Sequence, residues 1–246
     1  MKFKALLALF GCIAVVGCTS STPEEFVEET YDCGAKRKVN TFVGRRDNII
    51  RTTFYFQDGQ VQSDQFFKNG EPDSIMVIFN PDGSKLQETH FSSGKRHGVR
   101  RVWHENGQLQ SETMYEYDSP VGEVITYYDD GTKKSEVTYV DGNRHGKEIT
   151  YFPCGQEERV RIFDMGLPHG EDLEYYENGQ LKSKRMWKSN VLHGPYVRYH
   201  ENGRVNEKGT FVDGAYDGER VRYNSHGRRT ALVTYENGEM IEGESF

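Results

Sequence analysis

The chain is short of four things, and each shortage excludes a class of function. Beyond residue 18 it has no long apolar run, so its body supplies nothing like the ~20 consecutive apolar residues of a membrane-spanning helix. It has few cysteines: Cys12, Cys18, Cys33 and Cys154 are all there are. Positive charge is not in excess, since 31 Lys and Arg stand against 38 Asp and Glu, a net −7. That balance argues against nucleic acid and against adsorption to anionic lipid. Finally, it has no Gly-x-Ser-x-Gly elbow, His-Glu-x-x-His helix, phosphate-binding loop or Cys-x-x-Cys pair. The expectation is a protein that is not an enzyme and uses no cofactor.

The ends carry a different message. Residues 1–17 read as an export signal: Lys2 and Lys4 start it, Ala5 to Val16 form a short apolar core, and Gly17 is the small residue before the cut. Val15-Val16-Gly17-Cys18 resembles the bacterial lipobox, in which the cysteine is lipidated and becomes the mature N-terminus. Cys18 is therefore the expected lipidation site, and the lipid the only membrane contact. Thr19 stands where an aspartate would resemble the inner-membrane retention signal, so a diderm host would place the protein at its outer membrane. Removing the signal leaves 29 basic and 38 acidic residues, a net −9. Residues 18–30 have the polar, acidic composition of a tether.

What the chain has is a period. Glycines recur every 24 residues, at Gly59, Gly83, Gly107, Gly131, Gly155, Gly179, Gly203 and Gly227. Four residues before each stands an aromatic (Tyr55, Phe79, Trp103, Tyr127, Tyr151, Tyr175, Tyr199, Tyr223). Eight residues after each stands another (Phe67, Phe91, Tyr115, Tyr139, Phe163, Trp187, Phe211, Tyr235). A fixed period of this size marks a repeat architecture. Each unit holds two short runs rich in Val, Ile, Thr and Tyr around a Gly turn, which is the signature of a β-hairpin.

Pro81 and Pro153, two before the glycine, favour a three-residue loop ending in a left-handed glycine. Carried along the strands without interruption, such a loop puts Tyr127, Ile125, Val137 and Tyr139 on one face, as it does Tyr175, Leu173, Leu181 and Trp187. The other face is then polar, with Asp172 and Glu174 in one repeat and Arg220 and Arg222 in another. A second turn carries Gly70, Gly94, Gly142, Gly166, Gly214 and Gly238, with Asp118 and Asn190 in the two gaps. Those are the residues that best replace glycine at positive φ.

The expected fold is all-β: an elongated single-layer antiparallel sheet of about eight 24-residue hairpin repeats over residues 50–246, preceded by a degenerate cap at 31–49. A membrane barrel is not expected, although Phe246 ends the chain as outer-membrane strands often do. The strands are too short and carry charge on their second face.

The pattern His-Gly-x4-Tyr-x-Glu-Asn-Gly-Gln-Leu, completed by an aromatic and Asp-Gly, resembles the MORN repeat in its bacterial variant form. The resemblance covers residues 50 to about 243. It implies a binding role: toxin capture, as in YwqK-type antitoxins, or the phosphoinositide binding and scaffolding linked to eukaryotic MORN proteins. It implies no catalytic residue.

Two tempting sites remain. His97, His145, His169 and His193 each precede a repeat's opening glycine. Equivalent positions lie two strands apart, roughly 9.6 Å, so no two can share an ion held at ~2 Å, and no metal is expected. Cys33 and Cys154 are about five repeats apart, beyond the ~5.5–6 Å Cα spacing of a disulfide, which favours unpaired thiols or an intermolecular bond. The work expected of this chain is protein binding at the cell envelope, through a homodimer or a protein partner. The candidate surface is an aromatic face including Tyr127, Tyr139, Tyr151, Phe163 and Tyr175. A scaffold is the leading role, and an antitoxin or immunity protein the alternative.

Overall fold

The structure, a computed structural model, describes residues 22–246. It is one all-β sheet of 21 strands, from Pro23–Thr30 to Glu239–Ser245, with all pairings antiparallel. Two strands are interrupted: Val191–Leu192 continues as Gly194–Tyr199, and Ala215–Tyr216 as Gly218–Tyr223. The first and last strands each pair on one side only, so the sheet is open. One layer buries little. Eight apolar and eight polar residues make up the whole buried set among those described, so backbone pairing and cross-strand contacts must supply what a two-layer core supplies elsewhere.

The primary turn is a three-residue loop, as its sequence predicts. Phe56 N–H donates to Gln60 O (2.8 Å) and Gly59 N–H to Phe56 O (3.0 Å), with Gly59 at φ +90°. The second turn is a two-residue loop with both residues at positive φ, as in Asn69 (φ 53°) and Gly70 (φ 81°). That is a type I′ turn, whose twist matches the flanking strands. Asp118 (φ 75°) and Asn190 (φ 69°) take the glycine's place there.

Two bulges per repeat change the arrangement of faces. Immediately after the primary turn, Tyr55 pairs with Val61 but Phe54 with Ser63, leaving Gln62 over. One extra residue reverses which face every later side chain meets. Tyr127 therefore shares a face with Ile125 and Glu136, whereas Val137 and Tyr139 lie on the opposite face with Val124. Likewise Tyr175 and Leu173 face one way, and Trp187 and Asp172 the other. The expectation that both aromatics of a repeat share one face is overturned, because a constant alternation does not survive a one-residue bulge.

A second, two-residue bulge follows the type I′ turn, between the pairs Phe67–Pro72 and Gln65–Met76. It is centred on a residue at positive φ: Ser74 here, and in later repeats the glycine after the histidine. This glycine stands opposite the next strand's aromatic, as Gly146 opposes Phe163.

The N-terminal boundary also shifts. Residues 23–30, expected within a tether, form the first strand. Residues 31–49, expected as a cap, belong to the array, since Tyr31-Asp32-Cys33-Gly34-Ala35 makes the same hydrogen-bonded three-residue loop. The strand Lys36–Val43 then pairs with Ile49–Tyr55. The echo looks degenerate in sequence because its glycine falls 25 rather than 24 residues before Gly59. A longer second loop, from Gly44 to Asn48, takes up the difference.

Candidate binding faces

The first face is apolar with charged interruptions. A row crosses the sheet from strand to strand as Glu112, Ile125, Glu136, Ile149, Val160, Leu173 and Lys184. Tyr127, Tyr151 and Tyr175 flank this row at the primary-turn side, each paired across its hairpin with Lys133, Glu157 and Leu181. Tyr151 donates its hydroxyl to Glu136 Oε1 (2.7 Å), and Lys133 Nζ lies 2.6 Å from Glu136 Oε2. Burial and that bond push the Tyr151 phenol up, while Lys133 chiefly holds the Glu136 carboxyl down. Apolar groups stand open here, Met114 being 45% and Ile162 40% exposed. A shallow groove of about 290 Å³ is lined by Lys147, Glu157, Val160, Ile162, Leu173 and Tyr175.

The second face is ionic in its C-terminal half. Glu148, Arg161, Asp172 and Arg185 follow one another on successive strands with alternating sign. A parallel row runs Arg159, Glu174, Ser183, Arg198, Glu207 and Arg222. At the centre Asp172 is 0% exposed. It accepts from Arg159 Nε and Nη2 (both 2.8 Å) and from Trp187 Nε1 (3.0 Å). Arg185 Nε sits 3.4 Å from Asp172 without hydrogen-bond geometry. Burial alone would raise the Asp172 carboxyl, but the Arg159 and Trp187 bonds and the Arg185 charge outweigh it and hold it below its ordinary value. Glu207 is the corresponding centre further on, bonded by Arg220 and facing Arg222 at 3.8 Å. In the N-terminal half the same face carries fewer charges: Thr52 donates to buried Asn40 (2.7 Å), Thr89 and Thr113 are buried on either side of Arg100, and Lys38 pairs with Glu28 at 2.8 Å.

The five candidate rings thus divide. Tyr127, Tyr151 and Tyr175 lie on the apolar face; Tyr139 and Phe163 lie on the ionic one. Phe163 is 2% exposed, with the Arg144 and Arg161 guanidinium carbons 4.3 Å and 5.2 Å from its ring centre. A ring so covered packs the sheet and offers no contact surface. Cys18 lies outside the described residues.

Sequence reasoning missed two polar ladders between repeats. Tyr128 and Tyr176 donate their hydroxyls to the carbonyls of Tyr151 and Tyr199, and His104 and His200 reach Tyr127 O and Tyr223 O at 2.9 Å. Asn106 accepts from Gln108 N (3.0 Å) and donates to Asp129 O (2.5 Å) of the next turn, which explains the Asn before the glycine. The residue before the opening glycine accepts from the next repeat's type I′ turn: Asp73 from Ser93 N, His193 from Asp213 N, Asp217 from Asn237 N. Aspartate and histidine interchange there because both offer an acceptor. Among the described residues no group of three or more His, Cys, Asp or Glu is placed to hold a metal. Cys33 and Cys154 are free and exposed, and no helix is long and apolar enough to cross a membrane.

This architecture defines an open array of stacked β-hairpin repeats. Its repeats are of a known kind: residues 51–69, 96–117, 120–141, 168–189 and 192–213 match the family model described as MORN repeat variant. No curated protein matches the chain. Among solved structures it is similar to a chain of the TcdB2-TccC3-Cdc42 crystal structure, at 14% identity, 82% coverage of this chain, 15% of that one, and a TM-score of 0.18. A chain of the Photorhabdus luminescens Tc holotoxin pore gives 14% identity, 82% and 12% coverage, and a TM-score of 0.21. A porin-like protein from Bacteroides uniformis gives 11% identity, 85% and 88% coverage, and 0.21. The chain thus spans less than a fifth of the length of the first two of these chains.

Proposed function

We propose that this protein is a lipid-anchored scaffold of the bacterial cell envelope that binds protein through the apolar face of its sheet. The observation that carries the binding reading is the apolar side of the central strands, where Met114 and Ile162 stand 45% and 40% exposed near the row from Ile125 to Leu173, with no second layer over them among the described residues. Apolar surface beyond a few hundred Å² is seldom left bare on a monomer. The ionic face suits a different role. Its carboxylates are engaged by neighbouring arginines and lysine, so their lowered pKa values belong to structural pairs rather than to acid–base chemistry. Anchoring rests on Val15-Val16-Gly17-Cys18.

Site-specific photocrosslinking in living cells tests binding. A photoreactive residue at Ile162 should give a discrete adduct, and one at Arg198 on the ionic face should not. Adducts from Arg198 alone, or none from Ile162, would contradict the assignment. Cys18→Ser should release the chain from the membrane fraction or leave the precursor uncut; a variant that stays bound and normally processed removes the anchor.

A further inference from the structure

We infer that the second face carries a saccharide-binding site, in the hollow between the hairpins that turn at Gly107 and Gly131. The site lies on the opposite side of the sheet from the surface proposed to bind protein, so either reading can fail without the other.

The hollow comes from side-chain size. The row that holds Glu174 and Arg159 continues towards the N-terminus as Thr150, Ser135, Thr126 and Ser111, four small hydroxyl residues on successive strands. At the 24-residue equivalents of Ser111 stand Gln87, Arg159 and Glu207, and at those of Thr126 stand Ile78, Val102 and Glu174. Small residues at positions that hold long ones elsewhere leave the floor low. The cavity over Ser111 and Thr126 is about 560 Å³, within the ~300–1,000 Å³ of small-molecule sites. Gln110 and Lys134, the extra residues of two successive primary-turn bulges, line it as well.

Its walls are held in place before anything binds. Tyr128 donates its hydroxyl to Tyr151 O (2.7 Å), and His104 Nε2 donates to Tyr127 O (2.9 Å), which ties both rings to the next repeat. A carbonyl only accepts, so Nε2 carries the proton and Nδ1 of the neutral imidazole is left as an acceptor. The Gln110 amide and the Ser111 hydroxyl form no hydrogen bond within the chain among the described residues.

The lining selects the ligand. Lys134 and Asp129 both border the hollow and neither forms an ion pair among the described residues, so the two charges offset each other and an anion gains no net attraction. An apolar ligand would strip water from the hydroxyls and the amide without replacing its hydrogen bonds. What fits is a neutral ring dense in hydroxyls, with donors and acceptors at its edge for Gln110, Ser111 and His104, and C–H faces for the Tyr128 ring. That is a saccharide. Lys134 Nζ, 5.4 Å from the centre of the Tyr128 ring, adds a donor at the same wall.

The test uses the full-length chain, extracted in a detergent without a sugar headgroup. Cellobiose, maltose, lactose and N,N′-diacetylchitobiose are the soluble probes, read by saturation-transfer NMR and calorimetric titration, and cellulose and chitin are the polymers. At least one disaccharide should bind saturably; retention on its polymer as well assigns a glycan chain, and binding of the disaccharide alone a free sugar. Ser111→Gln installs the residue the fold already accepts at Gln87, so it should keep a near-wild-type thermal midpoint while filling the floor and weakening binding at least about tenfold. Gln110→Ala should weaken binding about fivefold, as the loss of a hydrogen-bonding side chain does. Gln62→Ala, at the equivalent bulge two repeats away, should leave it unchanged. The inference is overturned if no disaccharide binds, if Ser111→Gln binds as the wild type does, or if Gln62→Ala weakens binding as much as Gln110→Ala.

Discussion

The two faces of this sheet are made by the same strands yet hold together by different means. On the ionic face the interactions are internal and closed: Asp172 is fully buried, bound by Arg159 on one neighbouring strand and Trp187 on the other. On the apolar face they are open: Ile149 and Val160 are buried by their neighbours, while Ile162 and Met114 stand in water. A single layer cannot bury both its sides, and here the charged side is the better satisfied. The charged side therefore secures the fold, and the apolar side is the one proposed to bind.

The largest expected effect breaks the closed side. Asp172→Ala leaves Arg159 and Arg185 facing each other without their shared anion, which should cost about 3–5 kcal/mol and show as a large fall in denaturation midpoint. Phe163→Ala removes the ring enclosed between Arg144 and Arg161 and should cost about 3 kcal/mol. A loss below 1 kcal/mol would mean that the ring is not enclosed as described.

Acid should affect the same side. The Asp172 and Glu174 carboxyls are held below their ordinary values. A carboxyl whose folded pKa is depressed contributes stability above its unfolded pKa, near ~4, and loses it as pH falls through the folded value. The thermal midpoint should therefore be flat around neutrality and drop below about pH 4, and Asp172→Asn should lower the plateau and flatten the drop. An acid limb unchanged by that variant would remove Asp172 from the account. Smallest of all, Tyr128→Phe deletes one hydroxyl bond between repeats and should cost about 1 kcal/mol.

The fold was largely legible in the sequence because its punctuation is glycine. A left-handed residue four after the first strand of each hairpin ends, and another in the type I′ turn, leave a mark every 24 residues that Asp118 and Asn190 only confirm. The faces were not legible. Gln62 and its equivalents, the extra residues that reverse the alternation, carry no special side chain; ordinary residues occupy a one-residue bulge without a compositional signal. The ionic row shared that fate, since Glu148, Arg161, Asp172 and Arg185 align only once the bulge is counted. Tyr127 and Tyr175 were placed with the right aliphatic neighbours, Ile125 and Leu173, because those pairs lie on the same strand before the bulge. Tyr139 and Trp187 were misplaced because they lie after it. The first strand, Pro23–Thr30, was hidden by its four glutamates, which suit an exposed edge as well as a tether.

The division of labour between the faces is tested most directly by measuring thermal midpoint and in-cell crosslinking from a photoreactive residue at Met114 together for two single variants, Asp172→Asn and Ile162→Asp. The account predicts opposite outcomes: Asp172→Asn lowers the midpoint and, at temperatures where it remains folded, gives the wild-type adduct. Ile162→Asp keeps a near-wild-type midpoint, allowing for the ordinary ~0.5 kcal/mol effect of an exposed substitution, and loses the adduct. An Ile162→Asp chain that crosslinks normally, or an Asp172→Asn chain that is stable but gives no adduct, would contradict it.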